Sequence, residues 1–225
     1  AAVAFLEAGI HVICDKPLSV SRAEGLRIKQ CLQKSSAQFF LTHNYTGYPL
    51  IREARDMVAN GKLGNIRVVQ AEYAQDWLAE PLETTGQKQA SWRTDPKATG
   101  GGGAIGDIGT HAYNLVHYVT GLEAQELASD LSSYVPGRTV DDNAHIWLRY
   151  EGGAKGQLWI SQVAVGNENA LRLRIYGDKG GLEWEQENSN ILWFTPLGGL
   201  RQRLTRGSGV LSKAAAAATR IPAGH

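Results

Sequence analysis

The sequence predicts an α/β plus α+β protein. The end of a parallel α/β unit runs to about residue 43, and a domain built on one large, mostly antiparallel, open-faced sheet follows it. Three observations point there. The first 43 residues read helix, strand, helix, strand, the order of a parallel unit. From Asn65 onward, short apolar runs recur between Gly, Asn and Asp turns. One of them, "LRLRIY", alternates strictly: Leu171, Leu173 and Ile175 face one way, and Arg172, Arg174 and Tyr176 the other. Such a strand belongs to a sheet packed on one side only.

The elements follow in order. In the opening "AAVAFLEAGI", Ala2, Val3 and Leu6 share a helical face, and Gly9 stands where the helix must stop. "HVIC" is a short β-branched run suited to a buried parallel strand. Ser21 and Glu24 form a capping box, the hydroxyl accepting from the backbone near Glu24 while its carboxylate reaches back. The helix they start carries Leu26, Ile28 and Leu32, and "AQFFLT" is the next strand. A helix over about 49–60 has proline in its first turn and Gly61 past its end. Strands are expected at "IRVVQAEY", "AHIWLRY", "KGQLWISQVAV", "LRLRIYG" and "GLEWEQE". One helix over about 103–120 interrupts them, and Gly121 ends it. Residues 76–102 show little periodicity, and a structureless loop of that length is usually functional or wrongly assigned. The alanine run over 214–218 reads as a helix.

Composition narrows the function. Of 225 residues, 43% are hydrophobic and 20% charged, with a net charge of +1, so no bulk field favours nucleic acid or an anionic membrane. No apolar run is long enough to span a bilayer and no signal-peptide pattern is present, which leads to a cytoplasmic expectation. Cys14 and Cys31 read as two reduced, buried thiols, not as a disulfide framework or a zinc site. The chain opens without Met on an uncapped helix, and its alanine-rich end, "SKAAAAATRIPAGH", stops without a closing element. Both ends read as those of an internal fragment.

Two stretches carry chemistry. Asp15, Lys16 and Pro17 follow "HVIC" at the carboxyl end of a parallel strand, where open α/β sheets bind ligands. Pro17 fixes the backbone, has no N–H to satisfy and suits a cis bond in a tight turn. A lysine in such a crevice can lose some of its proton affinity and donate to a substrate oxygen. The plain alternative is a solvated Lys-Pro turn. In "GGGGAIGDIGTHAYNL", Asp107 and His111 stand four apart, on one face of a helix. A carboxylate one turn away can orient an imidazole and raise its basicity, which suits acid–base work near neutral pH. The run over 100–103 lets backbone approach a ligand, and Gly106 and Gly109 keep the same face low. Each glycine costs a helix about 1 kcal/mol relative to alanine, so their number demands a reason. A flexible loop, a core histidine and a metal pair are the other readings. The last lacks a third ligand at suitable spacing, so no metal is expected.

Together, "HVICDKPLS" and "GGGAIGDIGTHAYNLVHYVTG" resemble the Glu-Lys-Pro motif and the glycine-rich Asp…His helix of the Gfo/Idh/MocA oxidoreductases. "HNYTGYPLIREARDMVANGKLGNIRVVQAEY" is similar to that family's domain-crossing segment, and "SWRTDP" to its Trp-Arg loop. The resemblance implies that residues 1–43 are the C-terminal part of a Rossmann domain binding NAD or NADP. It implies a substrate and oligomerisation domain over 44–225, and homo-oligomers formed through the open sheet face. The activity implied is oxidation of a secondary hydroxyl on a small sugar, polyol or sugar derivative. Lys16, Asp107 and His111 would form the catalytic group. His111 would take the hydroxyl proton as hydride leaves the same carbon, Asp107 would orient His111, and Lys16 would hold the reacting oxygen and contact the cofactor. Asp15, Pro17, Asn44, Tyr45, Trp92 and Arg93 match cofactor positions. Asn169, in "GNENA", matches a loop that reaches substrate in some relatives.

There are departures from the family pattern. Asp15 stands where glutamate is usual. A G-x-G-x-x-G turn and the ribose-binding acid beyond it are missing, so this chain alone is expected to bind a dinucleotide poorly and the complete protein to bind it well. A dinucleotide-sensing regulator of the same fold and an NAD-using glycosidase are the alternative functions. Arg172 and Arg174 read as an interface or solvated face, and Trp147, Trp159, Trp184 and Trp193 as sheet packing. Trp77 and Trp92 suit stacking, and His43, His117 and His145 receive no role.

Overall fold

The structure, a computed structural model, describes residues 1–221; residues 222–225 of the alanine-rich end lie outside them. It opens with α1 (Ala2–Glu7), β1 (Val12–Asp15), α2 (Arg22–Leu32) and β2 (Phe39–Thr42). The two strands pair in parallel, from Val12 beside Phe39 to Asp15 beside Thr42. Leu6, Ile28 and Ala37 form their small core, with Val3, Cys31 and Leu32 packed against it. Leu26 is exposed, because it lies two residues from Ile28 and so on the opposite flank of α2. "HVIC" is not buried: Val12 and Cys14 are half-buried on one face, and Ile13 on the other is 76% exposed. Both cysteines are free and half-buried, not buried. The capping box forms one residue off: Ser21 accepts from Glu24 N–H, but the Glu24 carboxylate reaches Val20 N–H.

A 3₁₀ turn over Asn44–Gly47 leads into α3 (Pro49–Ala59), which buries Leu50, Ile51, Ala54 and Met57. Then comes β3 (Ile66–Ala74). The segment expected to lack structure instead holds a 3₁₀ turn at Leu82–Thr85, α4 (Lys88–Arg93) and α5 (Pro96–Thr99). These pieces are too short for apolar periodicity to show, but the two helices have caps: Gln87 caps α4, and Asp95 caps α5 ahead of Pro96. The next helix begins as a π-helical turn, Ile105–Gly109, and becomes α6 only at Thr110–Thr120.

The remaining strands are β4 (Ala124–Ser132), β5 (Asn143–Tyr150), β6 (Lys155–Ser161), β7 (Ala170–Gly177), β8 (Gly180–Glu185), β9 (Ile191–Pro196) and β10 (Gln202–Thr205). With β3 they form one sheet in the order β10-β9-β8-β7-β3-β6-β5-β4. Only β3 and β6 pair in parallel; every other neighbour is antiparallel. β4 had no apolar signature because it is an edge strand exposed along nearly its whole length. Leu171, Leu173 and Ile175 are fully buried against the α3 and α6 side, and each such side chain stabilises the fold by about 1.5–3 kcal/mol. Arg172 and Arg174 lie on the opposite face and share Glu72. Trp184 is buried, but Trp147 stands out on the open side, 60% exposed. A last helix, α7 (Lys213–Ala218), is anchored where Glu53 accepts from Ser212 N–H at 2.7 Å. Among the described residues no helix is long and apolar enough to cross a membrane.

Candidate active site

The two charged residues before Pro17 do not pair with each other. Asp15, the last residue of β1, accepts a hydrogen bond from Thr42 Oγ1 on β2 at 2.7 Å. Lys16 turns the other way, across a cis Lys16–Pro17 bond, and reaches Asp107. Its ammonium donates to the Asp107 carbonyl oxygen at 2.5 Å and to Oδ1 at 2.9 Å. An ammonium has three donors, so one remains for a ligand.

The turn that carries Asp107 is held by a remote loop. The Asp141 carboxylate accepts from Gly103 N–H at 2.7 Å and from Ile105 N–H at 2.8 Å, and its carbonyl accepts from Ala104 N–H. These bonds satisfy donors that a helix start leaves without partners. Close approach of backbone also explains two of the glycines. A Cβ at Gly103 would lie 2.0 Å from the Asp141 carbonyl oxygen. One at Gly100, where φ is +72°, would lie 2.1 Å from the Val20 carbonyl oxygen. Both glycines therefore allow protein backbone to approach, not a ligand. Gly106 differs: a Cβ there would meet nothing within 4 Å, and the residue lines open space.

Asp107 has three side-chain donors: Lys16, Arg93 Nε at 3.0 Å and Gln162 Nε2 at 2.9 Å. Burial pushes its carboxyl up, but Lys16, Arg93 and Gln162 outweigh burial and hold it below the ordinary value. None of the three is His111. Although Asp107 and His111 are four apart, no hydrogen bond joins them among the described residues. The imidazole is 7% exposed and its Nδ1 has no partner. It sits instead among rings, edge-on to Tyr45 at 4.8 Å and to His43 at 5.8 Å. Burial, then the Lys16 cation and His43, lower its pKa to about 4, and Asp107 opposes them only in part. His111 is therefore neutral at pH 7.

Asp15, Lys16, Pro17, Asn44, Tyr45, Trp92, Arg93, Asp107 and His111 all line one cleft of about 640 Å³. Arg93 lies over the Trp92 ring at 4.2 Å while its Nε holds Asp107. Asn169 does not line this cleft. It connects through Tyr73, whose hydroxyl donates to Asn169 Oδ1 at 2.7 Å and contacts the Tyr45 hydroxyl at 2.5 Å. Burial first, then the Tyr45 hydroxyl, push the Tyr73 phenol well above its ordinary value. Sequence reasoning missed His43, Tyr73 and Gln162. Tyr73 and Gln162 belong to strands or strand ends whose neighbours depend on sheet register, and His43 sits alone at the end of β2. Only their position at strand ends marked them.

The sequence matches the family model described as GFO/IDH/MocA C-terminal domain over residues 51–183. Residues 1–43 match the model described as Oxidoreductase family, NAD-binding Rossmann fold. An oxidoreductase from Sinorhizobium meliloti is 51% identical, with a TM-score of 0.88 over 100% of this chain and 59% of its own. An inositol dehydrogenase homolog from Azotobacter vinelandii, complexed with NADH and myo-inositol, is 35% identical, with a TM-score of 0.91 over 100% of this chain and 57% of its own. The uncharacterized oxidoreductase YfiI of Bacillus subtilis (strain 168) is 34% identical over 99% of this chain and 57% of its own length. The chain thus spans somewhat more than half of each of these proteins. With one family model covering over half of the chain, and the motif residues of both parts gathered at one cleft, the chain belongs to the Gfo/Idh/MocA oxidoreductase family.

Proposed function

We propose that this chain carries the catalytic site of a nicotinamide-dependent dehydrogenase that oxidises a secondary hydroxyl of a sugar, polyol or sugar derivative. The observation that carries the reading is the convergence of a lysine, a carboxylate and a buried neutral imidazole at the carboxyl end of a parallel strand. The inositol dehydrogenase homolog with NADH and myo-inositol supports it from outside the chain. On this reading residues 1–43 end the dinucleotide-binding domain, and 44–225 form the substrate and oligomerisation domain. Copies associate through the open sheet face, where Trp147 is exposed.

The cleft fits the nicotinamide end of a dinucleotide, because Gly106 leaves its wall bare where any side chain would intrude. Asp15, Lys16, Pro17, Asn44, Tyr45, Trp92 and Arg93 would hold that end. Bound NAD or NADP supplies the acceptor for the hydride. The chain's own groups handle the oxygen. Lys16, fixed by Asp107, donates its free N–H to the reacting oxygen and stabilises negative charge that builds there. His111 enters the reaction unprotonated and takes the hydroxyl proton on its ring. Asn169 acts on the substrate side through the Tyr73 hydroxyl.

The test uses the complete protein with NAD⁺ or NADP⁺ and a panel of polyols that includes myo-inositol. Reduced nicotinamide should accumulate with at least one substrate, and His111→Ala should cut kcat roughly a thousandfold. Full turnover by that variant would overturn the assignment. Cofactor binding without turnover on any polyol would favour the regulator.

A further inference from the structure

Lys16 and Arg93 are marked as site residues by the motifs in which they lie. Gln162, just beyond β6, is not, and yet it is only 2% exposed. Its Nε2 lies 2.9 Å from Asp107 Oδ2 and 3.4 Å from Gln75 Oε1. The neighbours decide which end of this amide faces Asp107. The Trp77 indole can only donate, and it donates to Gln75 Oε1 at 3.1 Å. Gln75 accordingly turns its Nε2 away, onto Asn169 Oδ1 at 2.8 Å. Gln162 then meets an amide oxygen on one side and a carboxylate on the other. Both of its N–H bonds have an acceptor, and the reversed amide would turn its oxygen toward two other oxygens.

The backbone holds Gln162 as firmly. Its N–H donates to the Asp142 carbonyl at 2.8 Å, and its carbonyl accepts from Leu78 N–H at 3.1 Å. Asp142 is next to Asp141, whose carboxylate fixes the turn that carries Asp107. One loop therefore holds both ends of the Gln162–Asp107 hydrogen bond. We infer that Gln162 is a positioning residue of the candidate active site: its amide keeps the Asp107 carboxylate turned toward Lys16 and Arg93 and leaves His111 without a carboxylate partner. The functional consequence rests on the dehydrogenase reading; the hydrogen bond does not. A neutral donor suits the position, since a cation here would compete with Lys16 and an anion would repel Asp107.

The charged and titratable groups facing Asp107 are Lys16, Arg93, His111 and Tyr73. The test is a carboxyl-carbon NMR titration of the complete protein, with the Asp107 signal assigned by Asp107→Asn. Gln162→Met removes the donor at similar length, and Gln162→Leu removes it with a shorter side chain. The Asp107 midpoint should rise by about one pH unit in both variants. With a polyol that turns over, kcat should fall about tenfold with KM little changed, and its acid limb should move up with the midpoint. Should Gln162→Met fail to fold, the Gln162→Leu midpoint decides. An unmoved midpoint overturns the inference, whatever the activity. A shifted midpoint in a protein that reduces no nicotinamide would support Gln162 as the holder of Asp107 while removing the dehydrogenase reading.

Discussion

Lys16 and Asp107, 91 residues apart, meet through two hydrogen bonds from one ammonium, to the carbonyl and to the carboxylate of the same residue. The contact joins the turn after β1 to the π-helical turn before α6. It also sets the electrostatics of the cleft, because the same cation that holds Asp107 in its ionised form discourages a proton on His111.

Replacing Lys16 with Met removes that cation and keeps most of the side-chain bulk. Burial is the larger cause of the low His111 pKa and Lys16 the next, so the midpoint should rise from about 4 without returning to 6.5. Asp107 should titrate higher as well, having lost its strongest opposing partner. Histidine-ring NMR across the acid range reads the first effect directly. A His111 midpoint unchanged in Lys16→Met would mean that burial and His43 set it without Lys16.

The sequence disclosed residues whose spacing is local and hid those whose neighbours depend on register. Lys16 and His111 stand out because an X-Lys-Pro turn after a strand and an Asp…His pair on a helix are each short patterns. That Asp107 would serve Lys16, Arg93 and Gln162 was not visible, since the π-helical turn and the Asp141 clamp are tertiary facts. Tyr73 reaches Asn169 because β3 and β7 pair with Ala74 opposite Ala170. No periodicity reports such a pairing. β4 was missed for the opposite reason, because an exposed edge strand has no buried face to write into its sequence.

Stability should respond to acid through His111. Its folded pKa of about 4 lies below the ordinary 6.5, so between these values the unfolded chain binds a proton that the folded chain refuses. The contribution is complete above pH 6.5, declines as pH falls toward 4 and is constant below that. Its size is roughly 3 kcal/mol. Urea unfolding of wild type and His111→Gln at several pH values isolates it. Parallel losses in the two proteins over this window would refute the assignment.

Arg138 is a structural cation, 1% exposed at the side chain, that binds Glu83 through two nitrogens at 2.9 Å and Asp142 at 3.2 Å. It also donates to the Leu78 and Glu80 carbonyls, tying the segment before α4 to the loop that clamps Asp107. Arg138→Met leaves buried Asp142 without its counter-charge, at a cost of roughly 3–5 kcal/mol. The denaturant midpoint should fall with an unchanged slope. A loss under about 1 kcal/mol would mean that the Tyr134 and Val135 N–H groups suffice for Asp142.

Gly103 and Gly106 stand three residues apart, and alanine should separate their roles. At Gly103 the new methyl group would collide with the Asp141 carbonyl at 2.0 Å, and backbone must move to admit it. Such overpacking costs about 1–3 kcal/mol and would shift the turn that presents Asp107. At Gly106 the methyl group meets no atom within 4 Å, and in a helical turn alanine is favoured over glycine by about 1 kcal/mol. Gly106→Ala should therefore melt no lower than wild type. Its methyl group projects into the cleft, however, so it should bind NAD⁺ about tenfold more weakly if the nicotinamide end lies against this wall. Calorimetric titration of the complete Gly106→Ala protein with NAD⁺ measures that loss, and thermal unfolding verifies the fold. Unweakened binding in a fully stable variant would move the cofactor away from Gly106 and from the face that presents Asp107.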